Sequence, residues 1–290
     1  MNAVTRPPLA IARAIAALPV FRVEGRDQLF IRAGTTIGET AFRDETPVDL
    51  PELVAGADYA VTLDAGKPSA RIAPDAAPEN TVGGFHFAPG GGADGTKGGD
   101  DVPAINPFSC WDAGFRPACP DPRGMALVAG RFWCDIYLTA AVHAGGTSRF
   151  NTTIADGNDT PQKIAGGEYA RFDFETARVV LAAHGKQLLT AEEFFAAAYG
   201  VTERSAAGRD PKVTGLDAPR TSRWGIMQAT GNMWTWGTDG HPDDPRASIF
   251  GGSWLPVGFA GSRRAYLGFW PESSDGDFGA RGRSDHLTLA

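Results

Sequence analysis

In the N-terminal part of the chain, apolar and polar positions alternate only in short runs. Gln28–Ile31, Thr35–Ile37 and residues 59–63 are such runs. They are separated by turn formers such as Arg43-Asp44-Glu45-Thr46-Pro47 and Ala65-Gly66-Lys67-Pro68, and this pattern predicts short strands. Ahead of them, Leu9, Ala12, Ile15 and Ala16 fall on one face of a short helix that Pro19 would end. Residues 81–87 predict another strand. The glycine-rich stretch 89–101 that follows has no Lys-Ser/Thr pair and opens no helix. It therefore predicts a mobile surface loop rather than a phosphate cradle.

Further along the pattern lengthens. Met125–Val128 and residues 132–138 form a hairpin pair around Ala129-Gly130, with Trp133 and Tyr137 on one face. Asp173 is placed to cap a helix running to about His184, stopped by Gly185. Thr190 and Glu193 make a capping box for a second helix, carrying Phe194, Phe195 and Ala198 and closed by Gly200. Five of the seven tryptophans lie between 224 and 270, so the large aromatic core belongs to the C-terminal two-thirds.

The last stretch, 248–290, keeps neither period for long. Small or stiff positions (Gly251, Gly252, Ser253, Trp254, Gly261, Ser262, Arg263, Gly279, Ala280, Arg281, Gly282) alternate with large, mixed ones. The latter are Leu255, Pro256, Val257, Phe259, Arg264, Tyr266, Phe269, Glu272, Asp275, Asp277 and Phe278. Turns that hold out aromatic area and a few charges suit a recognition surface. The plainer reading is core and loop of a C-terminal sheet.

Composition narrows the class. The 290 residues suit one large domain or two modest ones, and 42% hydrophobic content is enough for a core. With 37 glycines and 21 prolines the chain leans to loops and β-structure. We read a β-rich domain over 1–78, a linker at 74–80, and a second domain over 79–290. The net charge of −7, without a basic run, argues against a nucleic-acid partner. The N-terminus lacks a signal-type core, and no stretch is long enough to insert in a membrane. Cys110, Cys119 and Cys134 make neither a disulfide framework nor a zinc site, and read as reduced, buried thiols.

Three segments in order, GKQLLTAEEFFAAAYG at 185–200, WGIMQATGNMWTWGTD at 224–239 and IFGGSW at 249–254, resemble the formylglycine-generating, sulfatase-modifying enzyme fold, a variant of the C-type lectin fold. Within it, WDAGFRPACPDPRGMALVAGRFWCDIYL, ATGNMWTWG, AGSRRAY and GARGRSDHL are similar to the phage tropism-determinant family, receptor-binding proteins of tail-fibre tips diversified by retroelements. The resemblance implies an α+β protein: a C-type-lectin-like (formylglycine-generating-enzyme-like) domain preceded by a small β domain. It implies a variable region at about 250–285, a homotrimer, and a place at the virion tail tip after synthesis in the bacterial cytoplasm. It implies that Leu255, Val257, Phe259, Arg264, Tyr266, Gly268, Phe269, Glu272, Ser274, Asp275, Asp277 and Phe278 contact a bacterial surface receptor, a protein. Gly251, Gly252, Trp254, Gly261, Ser262, Arg263, Gly279 and Arg281 are then scaffold. Displayed side chains that change cannot support the fold. That task would fall to Trp111, Trp133, Trp224, Trp234, Trp236 and Trp254.

Other chemistry finds less support. The sulfatase-modifying enzymes use two cysteines after the GGSW strand, and no cysteine follows Cys134. The related iron enzymes need three histidines. His86, His143, His184, His241 and His286 include no helical pair. His184 reads as a helix C-terminal residue and His286 as a structural hydrogen-bonding group. No G-x-S-x-G surrounds a serine, so no catalytic residue is assigned and no enzyme is expected. Asp239, Asp243 and Asp244 are weak calcium candidates in one acidic turn, and no cofactor is otherwise expected. A cellular, retroelement-diversified display protein is the alternative within the same reading.

Overall fold

The computed structural model describes residues 10–74, 80–239, 247–255 and 258–287. Its N-terminal part is β throughout. Phe21–Glu24 and Gln28–Ile31 pair with Thr46–Pro47 in one small sheet, and Ile11–Ala12, Thr35–Ile37 and Thr40–Phe42 form another. The helix expected before Pro19 is absent from the described residues. Ile11–Ala12 instead pairs with Thr36 and Ile37, and Leu18 turns back to the Ile15 carbonyl. So short a helix is marginal in water, whereas a strand partner satisfies the backbone at once.

A longer sheet follows. Lys67–Ile72 pairs with Ala57–Asp64, which pairs with Thr81–Ala88, and both Ala104–Ile105 and Trp111–Asp112 add to Thr81–Ala88. Glycine makes the last contact possible: a Cβ on Gly83 would stand 2.1 Å from the Trp111 carbonyl oxygen. The core beneath joins Phe21, Leu29, Ile31 and Tyr59 to Val82, Phe85, Ile105 and Cys110. The sheet therefore crosses the boundary drawn at residue 78 and continues to Asp112. Most of the linker assigned to 74–80 lies outside the described residues. The break in pattern there falls between two strands that flank Ala57–Asp64 in one sheet, not at a division of the core.

The glycine-rich stretch also departs from expectation. It is pinned through its backbone: Ala93 N donates to Ser222 O (3.1 Å), Gly98 N to Gly200 O (2.9 Å) and Gly99 N to Ala218 O (2.8 Å). Its glycines serve close approach to these neighbours rather than mobility.

The C-terminal unit is a mixed sheet in the order Met125–Val128, Phe132–Asp135, Gly282–Asp285, Gln187–Thr190, Trp234–Thr238, Ser248–Phe250, Ala265–Tyr266. Phe278–Ala280 pairs parallel with Trp234–Thr238. Ala129 and Gly130 take left-handed φ values of +50° and +69°, which is the hairpin turn the pair requires. Two helices pack on the sheet. In α1 (Phe174–Ala182), the Asp173 carboxylate accepts from Thr176 N at 2.9 Å, and Phe174, Ala177 and Leu181 bury against Leu188 and Trp236. In α2 (Ala191–Ala197), Thr190 and Glu193 form the reciprocal capping box, and Phe194 stacks on Phe250 at 5.1 Å. All three cysteines are free and buried. Burial pushes the Cys110 and Cys134 thiols up to about 12.

Candidate functional site

The segment after Ser248–Phe250 is held from below by its backbone. Gly251 and Gly252 have φ of +87° and +83°, a conformation that side chains rarely adopt. A Cβ on Gly252 would press 2.8 Å from Ala260. Gly251 N donates to Arg264 O (2.9 Å), Gly261 N to Gly251 O (3.0 Å) and Phe269 N to Ala247 O (2.9 Å). Trp254 N reaches Asn232 O at 2.8 Å, and Trp234 N reaches Asp277 O at 2.8 Å. The Glu203 carboxylate receives the Ser262 amide at 3.2 Å and the Ser262 hydroxyl. Most of these bonds join main chain to main chain, so they do not depend on which side chains the segment carries.

Deeper, two buried cations clamp the C-terminal strand. Arg281 is 1% exposed, and its guanidinium donates to the carbonyls of Asp135 (2.8 Å), Ile136 (2.7 Å), Met227 (2.7 Å) and Gln228 (3.3 Å). Lys186 Nζ donates to Asp135 Oδ1 at 2.6 Å, while Asp135 Oδ2 accepts from Thr147 Oγ1 and Gly282 N. Burial pulls the Lys186 pKa down, but Asp135 together with Cys119 and Asp121 outweighs it and the net shift is upward. Gly279 and the buried Gly251, Gly252 and Gly261 complete this scaffold.

Above it, Leu255, Phe259, Tyr266, Leu267 and Trp270 are exposed, Trp270 most of all at 76%. Arg264 lies against two of these rings. Its guanidinium carbon is 5.5 Å from the Phe259 centroid and 4.5 Å from that of Tyr266, and it donates to the Tyr266 hydroxyl. Tyr266 in turn rests on Trp234, with ring centroids 5.4 Å apart. Glu272, Asp275 and Gly268 are exposed, and Ser274 and Asp277 are half-buried. Burial raises the Asp277 pKa, and the Ser253 hydroxyl partly opposes that.

Three sequence assignments change. Phe278 is not displayed: it is 5% exposed and stacked on Trp236 at 5.2 Å. Its register opposite Trp234, in a strand shielded on both sides, puts the ring in the core. Phe269 is half-buried, 6.1 Å from Trp236 and 5.4 Å from Phe278, so it joins face to core. Arg263, assigned to the scaffold, is exposed. Sequence reasoning does not single out Leu267 or Trp270, although Trp270 stands between Gly268 and Pro271 in a stretch without period. Val257 and Pro256 lie outside the described residues, as do Asp243 and Asp244; no metal-binding cluster of His, Cys, Asp or Glu occurs among the described residues. Of the bracing tryptophans, Trp133 and Trp236 are fully buried and Trp111, Trp224, Trp234 and Trp254 half-buried. His286 Nδ1 accepts from Trp133 Nε1 at 2.9 Å, a structural bond. His143 and His184 meet, Nδ1 to Nε2, at 2.9 Å, a contact that no local pattern announces.

No family model matches the chain. It is, however, 38% identical to the tail fiber receptor-binding protein of Bordetella phage BPP-1, over 97% of this chain and 85% of the relative. The chain belongs to the family of phage tail fibre receptor-binding proteins. Solved structures of that family agree. The U1 variant of the major tropism determinant is 36% identical, with a TM-score of 0.90 over 97% of this chain and 87% of the other. The I1 variant is 37% identical with the same TM-score and coverage. Tropism-determinant structures thus share the C-type-lectin-like fold with this chain, α+β in kind and mostly β in content. The family likeness runs through the N-terminal sheets as well as the C-terminal unit.

Proposed function

We propose that this chain is the receptor-binding protein of a phage tail fibre, carried at the virion tail tip, and that it attaches the particle to a protein on the bacterial surface. One observation carries the reading. A set of exposed aromatic and aliphatic side chains within one segment, Leu255, Phe259, Tyr266, Leu267 and Trp270, sits on a backbone fixed by bonds that none of those side chains makes. Large rigid rings beside an arginine are the residues that dominate protein contacts. Arg264, Gly268, Phe269, Glu272, Ser274, Asp275 and Asp277 form the remainder of the contact face, with acidic groups at its rim.

Fixing the backbone in advance lowers the ordering cost of binding. Assembly as a homotrimer would multiply a modest single-site affinity. The reading requires no catalysis and no cofactor.

The test uses the whole protein. Purified wild-type chain should bind host cells and block adsorption of the parent phage. Phe259→Ser, Tyr266→Ser and Trp270→Ser combined should melt within a few degrees of wild type yet neither bind nor block. A folded triple variant that still binds and blocks would overturn the proposal.

A further inference from the structure

Next to this face lies a cleft of about 680 Å³, between the end of α2 and the turn that carries Ser262 and Arg263. Its apolar walls are Phe195, Tyr199 and Trp224, with Tyr199 48% exposed. Trp224 is fixed edge-on against Phe108, and its indole nitrogen donates to Ala196 O at 2.7 Å, so its face is set before any ligand arrives. Two guanidiniums, Arg204 and Arg263, stand at the cleft. Neither has an ion pair or hydrogen bond among the described residues, and both side chains are exposed. The single carboxylate there, Glu203, is occupied by the Ser262 amide and hydroxyl. In a chain of net charge −7, an aromatic hollow with two unpartnered arginines is locally positive.

We propose that this cleft is a second binding site, separate from the display face, for an acidic sugar of a bacterial surface polysaccharide. Three features select that ligand. Exposed aromatic faces stack on the C–H face of a sugar ring, and guanidinium forks pair with its carboxylate. The volume lies within the roughly 300–1,000 Å³ of small-molecule sites. None of the lining residues belongs to a strand, so the cleft offers no edge for an extended peptide to join. A weak contact to abundant polysaccharide would hold the tail tip near the cell while the display face searches for its protein receptor.

The experiment titrates the full chain with oligogalacturonate, its fully methyl-esterified neutral form, and oligoglutamate, followed by calorimetry and tryptophan fluorescence. Oligogalacturonate should bind, weaken as salt rises, and exceed the ester by about tenfold or more. Arg204→Gln with Arg263→Gln should weaken it about tenfold or more, and so should Tyr199→Ala, which leaves both charges in place. Tyr266→Ser should leave this binding unchanged, which separates failure of this site from failure of the display face. Melting curves of each variant check the fold. The proposal is overturned if oligogalacturonate does not bind, if the ester or oligoglutamate binds equally well, or if folded cleft variants bind like wild type.

Discussion

Phe278 and Trp270 lie eight residues apart in one segment, yet they should respond to alanine in opposite ways. The Phe278 ring is 5% exposed and packed against two others, Trp236 at 5.2 Å and Phe269 at 5.4 Å. Trp236 is held in its strand and cannot move far into the gap. Deleting the Phe278 ring loses the transfer energy and leaves a cavity, so Phe278→Ala should cost about 3–5 kcal/mol. For a chain of this size that corresponds to a fall in Tm of roughly 6–20 °C. Trp270 is 76% exposed and has no ring partner among the described residues. Trp270→Ala should stay within about 0.5 kcal/mol of wild type. Phe269→Ala, at a ring of intermediate burial, should fall in the middle. Thermal melts and urea titrations of the three variants decide the matter. If Phe278→Ala melts like wild type, or Trp270→Ala melts as low as a core deletion, then the boundary between frame and display is drawn in the wrong place.

The buried pair of Lys186 and Asp135 gives a second test. Lys186→Met strands a buried carboxylate and should cost about 3–5 kcal/mol in urea unfolding, while adding Asp135→Leu should recover part of the loss. A third concerns pH. His143 Nε2 meets the Gln162 carbonyl at 2.6 Å, so that nitrogen carries the proton and Nδ1 accepts from His184. Burial lowers both pKa values, most directly for His143, and the neighbouring imidazole and Lys186 lower that of His184 further. A depressed folded pKa means that the unfolded chain binds more protons, so stability is complete above the ordinary histidine range and falls as pH drops through and below it. Melts from pH 8 to 5 should show this slope, and His143→Gln should flatten it. Finally, the thiols of Cys110 and Cys134, at about 12, should resist an aromatic disulfide reagent at pH 8 in the native protein and react once urea unfolds it.

How far the sequence was legible varied with the range of the forces involved. Caps and turns act over a few residues, and the Asp173 cap, the Thr190–Glu193 box and the Ala129-Gly130 turn can each be read from local chemistry. The unbroken motifs at 224–239 and 249–254 likewise carry the C-type-lectin-like fold. Contacts between distant segments left no such trace. Nothing local to Phe278 distinguishes it from Phe259; only its register beside Trp234 does. The same holds for Ile11, whose strand partner lies at residue 37, and for the glycines at 90–92, whose neighbours are at 100 and 222–225. Arg204 and Arg263 are 59 residues apart and meet at one cleft only because α2 and the 261–263 turn fold together.

These cases point to one physical condition for a surface that must change while its support does not. A side chain is free to vary when removing it leaves no cavity, no orphaned polar group and no altered backbone angle. At Leu255, Phe259, Tyr266 and Trp270 the first condition is met by exposure. The third is met by glycines at 251 and 252, which carry the unusual angles so that their neighbours need not. The second is met because the amides of Gly251, Trp254, Gly261 and Phe269 find carbonyl partners in the frame. Arg264 is the exception. Its Nε is buried without a partner, and its charge rests on two rings that are themselves displayed. Replacing Phe259 or Tyr266 alone should therefore reorient Arg264, so that paired substitutions on this face add poorly in binding while single changes at Leu255 or Trp270 remain independent. Double-mutant cycles for receptor binding would show it: coupling above about 0.5 kcal/mol between Arg264 and Tyr266, and none between Leu255 and Trp270, is the expected pattern. Uniform additivity across the face would mean that Arg264 is held by something other than the rings beside it.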